Sequence, residues 1–165
     1  YEASGTGNMK FALNGALTLG TLDGANLEIA RAVGEDNIFI FGSTVDEVSR
    51  LKSQRYCPRE LYQSNPRIRE VIDLIAADHF NPTEPGLYRP IVDSLLGSDQ
   101  YLLLHDFESY REAHLSVDRA YSQRRAWLRS ALTNVASMGR FSADRAVREY
   151  TRDIWHAQPY AVVVE

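Results

Sequence analysis

Lys10 is the side chain whose type and surroundings invite chemistry. Only Lys10 and Lys52 among the 18 lysine and arginine residues are lysines; the other cations are arginines. Arginine keeps its charge permanently, whereas a lysine amine can lose its proton and act as a nucleophile or form a Schiff base. Lys10 closes the run Tyr1-Glu2-Ala3-Ser4-Gly5-Thr6-Gly7-Asn8-Met9-Lys10, in which small residues lead into a helix-forming stretch. Such a Gly-rich turn ahead of a helix presents free N–H groups and the positive end of the helix dipole, which together favour an anion. Helical side chains lean back toward the N-terminus, so Lys10 is expected to reach over Thr6 and Gly7. An amine beside phosphate-binding amides suits a cofactor with both an aldehyde and a phosphate, such as pyridoxal phosphate. Spacing alone also allows a solvated lysine on an ordinary helix. A Walker phosphate loop fits poorly, because its Lys follows Gly and precedes Ser or Thr.

The elements that position this run read as half of a doubly wound α/β fold. Ser4 or Thr6 can cap the first helix, and Asn14-Gly15 is a C-cap pair. Residues 16–20 read as a short buried parallel strand, and 21–24 as a turn. A helix with Ala25, Ile29, Ala30 and Val33 follows, then a second strand over 37–41 that is apolar enough to be covered on both faces. Thr44 and Glu47 form a capping-box pattern for a helix with Val45, Val48 and Leu51. From Pro58 onward the pattern is mainly helical. Asn65-Pro66 starts a helix with a stripe of Ile68, Val71, Ile72 and Ile75. Residues 81–86 read as a turn and 101–104 as a buried extended segment. Asp106, Ser122 and Ser142 are the expected caps of the last three helices, and 157–165 read as a tail.

At this point the residues carry a resemblance. Glu2 to Phe11, Leu13 to Thr18, Gly20 to Asn26 and Asn37 to Gly42 closely resemble the glycogen/starch (α-glucan) phosphorylases. Phe141 to Arg145, Glu149-Tyr150 and Ile154-Trp155 continue the likeness. The resemblance implies a GT-B glycosyltransferase fold: residues 1–55 end a Rossmann-like domain, and 56–156 form a helical C-terminal part of it. It implies phosphorolysis of terminal α-1,4-glucosidic bonds by inorganic phosphate, giving α-glucose 1-phosphate. Lys10 would be the covalent attachment point of pyridoxal 5′-phosphate, with the Thr6 and Gly7 amides against its phosphate. Glu2, Ser4 and Gly5 would hold the glucosyl unit. The family's chains are several times longer, so this chain is expected to be one piece of a cytoplasmic enzyme, a homodimer when whole. The piece alone is expected to be inactive. Two other readings are a catalytically silent folding or assembly module and a different Rossmann-like phosphosugar or nucleotide binder.

Composition narrows the field further. A net charge of −4 disfavours nucleic acid, whose phosphates attract basic surfaces. The single cysteine, Cys57, rules out an internal disulfide framework and fits a reducing compartment. No long apolar span suggests a membrane segment. His79, His105, His114 and His156 lack metal-ligand spacing, so no metal site is expected. Tyr110, Trp127, Tyr150 and Trp155 recur at helical spacing and read as core. The arginines of the last helices read as solvated faces paired at i±4. Asp23 and Asn26 read as turn formers outside the site.

Overall fold

The computed structural model describes residues 6–158. Helix α1 runs Thr6–Leu13 and ends on Gly15, whose φ of +85° is open to glycine at no steric cost. The Gly15 N–H donates to the Ala12 carbonyl and the Ala16 N–H to that of Phe11. This double bond pattern is the Schellman closure. Because Ala16 is used to end the helix, strand β1 starts later than the expected 16–20, at Leu19–Thr21. Helix α2, Gly24–Val33, crosses to strand β2, Phe39–Phe41. A 3-10 turn at Glu35–Asn37 occupies the expected beginning of that strand. The strands are parallel, with Leu19 opposite Phe39, Gly20 opposite Ile40 and Thr21 opposite Phe41.

The expectation that the strand over 37–41 is covered on both faces holds at Ile38, which is buried, but not at Ile40. Phe39 and Phe41 share one face and pack on the helices behind: Phe39 stacks on Trp127 at 6.2 Å, and Phe41 meets the edge of Tyr110 at 5.2 Å. Ile40 points the other way and is exposed.

Helix α3, Val45–Ser53, has the expected capping box. The Thr44 N–H donates to Glu47 Oε2 at 2.8 Å, and the Glu47 N–H donates to Thr44 Oγ1. Helices α4, Pro58–Ser64, and α5, Pro66–Ala76, follow, and Asn65 Oδ1 accepts from the Arg67 and Ile68 amides. Helix α6, Arg89–Gly97, leads to α7, Leu103–Ser122. The extended segment expected at 101–104 is instead a turn that enters α7. Leu102 is buried in the left-handed region at φ 58°.

Asp106 does not cap α7. Asp99 does: its carboxylate accepts from the Leu103 N–H at 2.8 Å and the Leu104 N–H at 2.9 Å. The Tyr56 hydroxyl donates to the same carboxylate at 2.6 Å. Asp106 lies in the first turn of α7, where it accepts from the Ser43 N–H and hydroxyl. It thereby ties the end of β2 to the long helix.

Helix α8, Arg124–Ser137, starts just after the expected Ser122. Helix α9, Ala143–Tyr150, is capped by Ser142 as expected, through the Arg145 N–H. Arg145 pairs with Glu149 one turn on, whereas Arg152 pairs with its neighbour Asp153. Trp127 is half-buried against Phe39, but Tyr110, Tyr150 and Trp155 are exposed, contrary to their reading as core, and Tyr150 touches Trp155.

Two apolar clusters hold the described residues together. One joins Ala12, Ile29, Val33, Ile38 and Met138. The other joins Ile68, Ile72, Val92 and Leu104, with Leu61, Tyr62 and Phe107 against it. Asn134 is fully buried and its Nδ2 bridges from α8 to the Asn37 carbonyl at 2.9 Å.

Candidate functional site

The residues expected to do chemistry meet at the start of α1. Thr6 and Gly7 form its first turn and Lys10 stands four and three positions on, so all three share one helix face. The first N–H groups of a helix have no carbonyl partner within it. Among the described residues beyond its own turn, no heavy atom lies within 4 Å of where a Cβ on Gly7 would stand, so a ligand can approach the backbone there. Lys10 is exposed. The Gly7 backbone and the exposed Lys10 amine on one accessible face fit a group that carries an anion and a reactive carbonyl. Glu2, Ser4 and Gly5, with the alternative cap at Ser4, lie outside the described residues.

Sequence, packing and polar contacts together fix where this face sits. Helix α1 has two turns and one buried side chain, Ala12, which enters the cluster with Ile29 and Met138 while Met9 packs partly against it. At its N-terminal end Asn8 Nδ2 donates to Asn26 Oδ1 at 2.8 Å. Asn26 Nδ2 donates in turn to the Thr21 carbonyl at 3.0 Å, at the end of β1. Only 7% of Asn26 is exposed.

The reading of Asn26 as a mere turn former is thus incomplete. Asn26, Ile29 and Val33 form one buried stripe of α2, and a polar residue at the head of an apolar stripe is the signal that sequence reasoning passed over. Asp23 precedes α2 without capping it and accepts from the Thr21 hydroxyl at 2.8 Å.

A cavity of about 420 Å³ opens at the C-terminal ends of the two strands, between Thr21, Phe41, Tyr101, Asp106 and Tyr110. Parallel sheets often bind ligands at such ends. Here the one charged side chain of the lining, Asp106, is already engaged by Ser43. The histidines lie apart, and among the described residues no group of three or more His, Cys, Asp or Glu could hold a metal. No described helix is long and apolar enough to cross a membrane.

Known proteins match this sequence along nearly its whole length. The chain is 49% identical to a glycogen phosphorylase of Synechocystis over 164 residues, which is 99% of this chain and 19% of that protein. It is 50% identical to the Haemophilus influenzae glycogen phosphorylase and 44% identical to the mouse brain form, each over 158 residues and 96% of the chain. The chain therefore spans about a fifth of the length of these relatives. The profile of the family described as carbohydrate phosphorylase matches residues 1–157, which include the Lys10 turn and every helix just described. On that match the chain belongs to the carbohydrate phosphorylase family.

Proposed function

We propose that this chain is part of a glucan phosphorylase, a glycosyltransferase that uses inorganic phosphate to release α-glucose 1-phosphate from the end of an α-1,4-glucan. The observation that carries the reading is the co-location of Thr6, Gly7 and Lys10 on one open face, within a chain of this family. In this reading Lys10 anchors pyridoxal 5′-phosphate through its side-chain amine. The Thr6 and Gly7 amides hold the cofactor phosphate by charge-assisted hydrogen bonds at the positive end of α1. When bound, the cofactor supplies a phosphate group that takes part in proton transfer beside the substrate phosphate. Glu2, Ser4 and the Gly5 backbone orient the hydroxyls of the glucosyl unit. Residues 1–55 then close a Rossmann-like domain of GT-B type, and 56–156 form its helical end. The reading extends to a cytoplasmic homodimer for the whole enzyme.

The chain alone is proposed to be inactive. Phe11, Leu13, Leu128 and Leu132 stand exposed on α1 and α8, and apolar surface of this kind belongs under further protein.

The test uses the full-length enzyme. Borohydride reduction followed by peptide mapping should place the cofactor on Lys10. Lys10→Arg should abolish covalent attachment, because guanidinium keeps the charge without a nucleophilic amine. Cofactor retained covalently in that variant would refute the assignment.

A further inference from the structure

We infer that Asn26, acting through Asn8, is a positioning residue that sets the rotation of α1 and hence where Lys10 and the Thr6 and Gly7 amides point. The inference rests on the reading that Lys10 carries the cofactor.

Apolar burial is non-directional, so the contact of Ala12 with Ile29 and Met138 resists separation of α1 more than its rotation. A group about 6 Å from a helix axis moves roughly 2 Å for a rotation of about 20°. A misplacement of about 1 Å at a reacting group can cost on the order of a hundredfold in rate. Something directional must therefore hold the helix, and the Asn8–Asn26–Thr21 chain of hydrogen bonds does so. Its donors and acceptors are matched: Asn8 Oδ1 accepts from the Met9 N–H, Asn8 Nδ2 donates to Asn26 Oδ1, and Asn26 Nδ2 donates to the Thr21 carbonyl.

The strand is shaped around this link. A Cβ on Gly20 would lie 2.6 Å from Asn26 Nδ2, so a side chain there would push the amide out of place. A buried, doubly bonded amide spanning β1, α2 and α1 is more than helix stability requires, because α2 already buries Ile29 and Val33.

The experiment compares Asn26→Ala and Asn8→Ala with the parent in the full-length enzyme. Cofactor affinity of the apo-enzyme is measured by titration and followed by absorption of the lysine-bound cofactor, and thermal unfolding of the apo-enzyme is measured alongside. Each variant should bind cofactor roughly tenfold more weakly, and the double variant should be no worse than either single one. Asn8 is only half-buried, so Asn8→Ala keeps the test open if Asn26→Ala fails to fold. Parent-like cofactor affinity in Asn8→Ala would overturn the inference, as would additive losses in the double variant. Failure of borohydride to label Lys10 in the parent would instead overturn the underlying reading.

Discussion

Ile68, Ile72, Val92 and Leu104 come from α5, α6 and α7, helices that follow one another along the chain, whereas Ala12, Ile29, Val33, Ile38 and Met138 draw on both of its ends. The first set is closed by local polar latches as well. Asp99 caps α7 and receives Tyr56, and Asn65 at the start of α5 donates to Glu108 on α7 at 3.0 Å. The second set holds the Lys10 helix yet leaves Phe11 at 68% and Leu132 at 69% exposure on its outer side. The helical part is thus closed by helices adjacent in the chain and the part with Lys10 by distant ones, though both leave apolar side chains in the open, Phe80 at 64% and Leu103 at 57% in the helical part. Catalytic groups gain by lying where surfaces meet, since enclosure from two sides excludes water and fixes orientation.

The largest effect that would break this comparison comes from paired core deletions. Ile72→Ala should cost the isolated chain about 4 kcal/mol, because its surroundings are closed and relax little around a cavity. Ile29→Ala, though fully buried in the parent, should cost about 2 kcal/mol, because its open cluster can collapse. Chemical denaturation reads both; equal losses in one transition would mean that the two parts behave as one.

Next in size is Asp99→Asn. It keeps a carbonyl oxygen for one partner but removes the charge and one acceptor from the Leu103, Leu104 and Tyr56 donors. A loss of about 1.5–3 kcal/mol is expected, and hydrogen exchange at the first turn of α7 should rise with it. An unchanged exchange rate there would show that the cap is dispensable.

The smallest effect sharpens the comparison by pH. The Asn65 side-chain amide, followed by Arg111, holds the Glu108 carboxyl at about 2 instead of the usual 4.5. Between those values the unfolded chain binds more protons than the folded one, so stability rises with pH across the window. The contribution of this carboxylate is complete above about pH 4.5 and disappears as pH falls toward 2. Glu108→Gln should lose that contribution at neutral pH, by a small amount because the carboxylate is exposed, and flatten the acid limb of unfolding monitored in the helical part, so that the two curves converge toward pH 2. A parent-like acid limb in that variant would assign the slope to other carboxylates.

Signals that act within one turn were legible in the sequence. Thr44 with Glu47, Asn65 before Pro66, Ser142, and Asn14-Gly15 each stand next to the backbone they satisfy, and the structure has each in its expected place. Asp99 was not legible, because Asp106 is an equally good cap by type and only the fold reveals which carboxylate Tyr56 and Ser43 take. The start of β1 moved because Ala16 serves the end of α1. Within the candidate site, Lys10, Thr6 and Gly7 share a face because helix geometry alone requires it. Asn26 depends on Asn8 and Thr21, which come from two other elements, and no local pattern names such partners.

The bond from Asn134 to the Asn37 carbonyl also sets an order of events. It joins positions 97 residues apart, so during synthesis it must wait until most of this chain has emerged. Contacts among α4 to α7 close much shorter loops, and short loops form sooner than long ones. The helical part should therefore acquire protection first, and the Lys10 turn should be the last to settle, when α8 arrives to lock the 3-10 turn at Glu35–Asn37. Pulse-labelled hydrogen exchange during refolding should find Ile68 and Ile72 amides protected before those of Ile29 and Ile38. Simultaneous protection of the four would show that the long-range bond forms with the nucleus instead of after it.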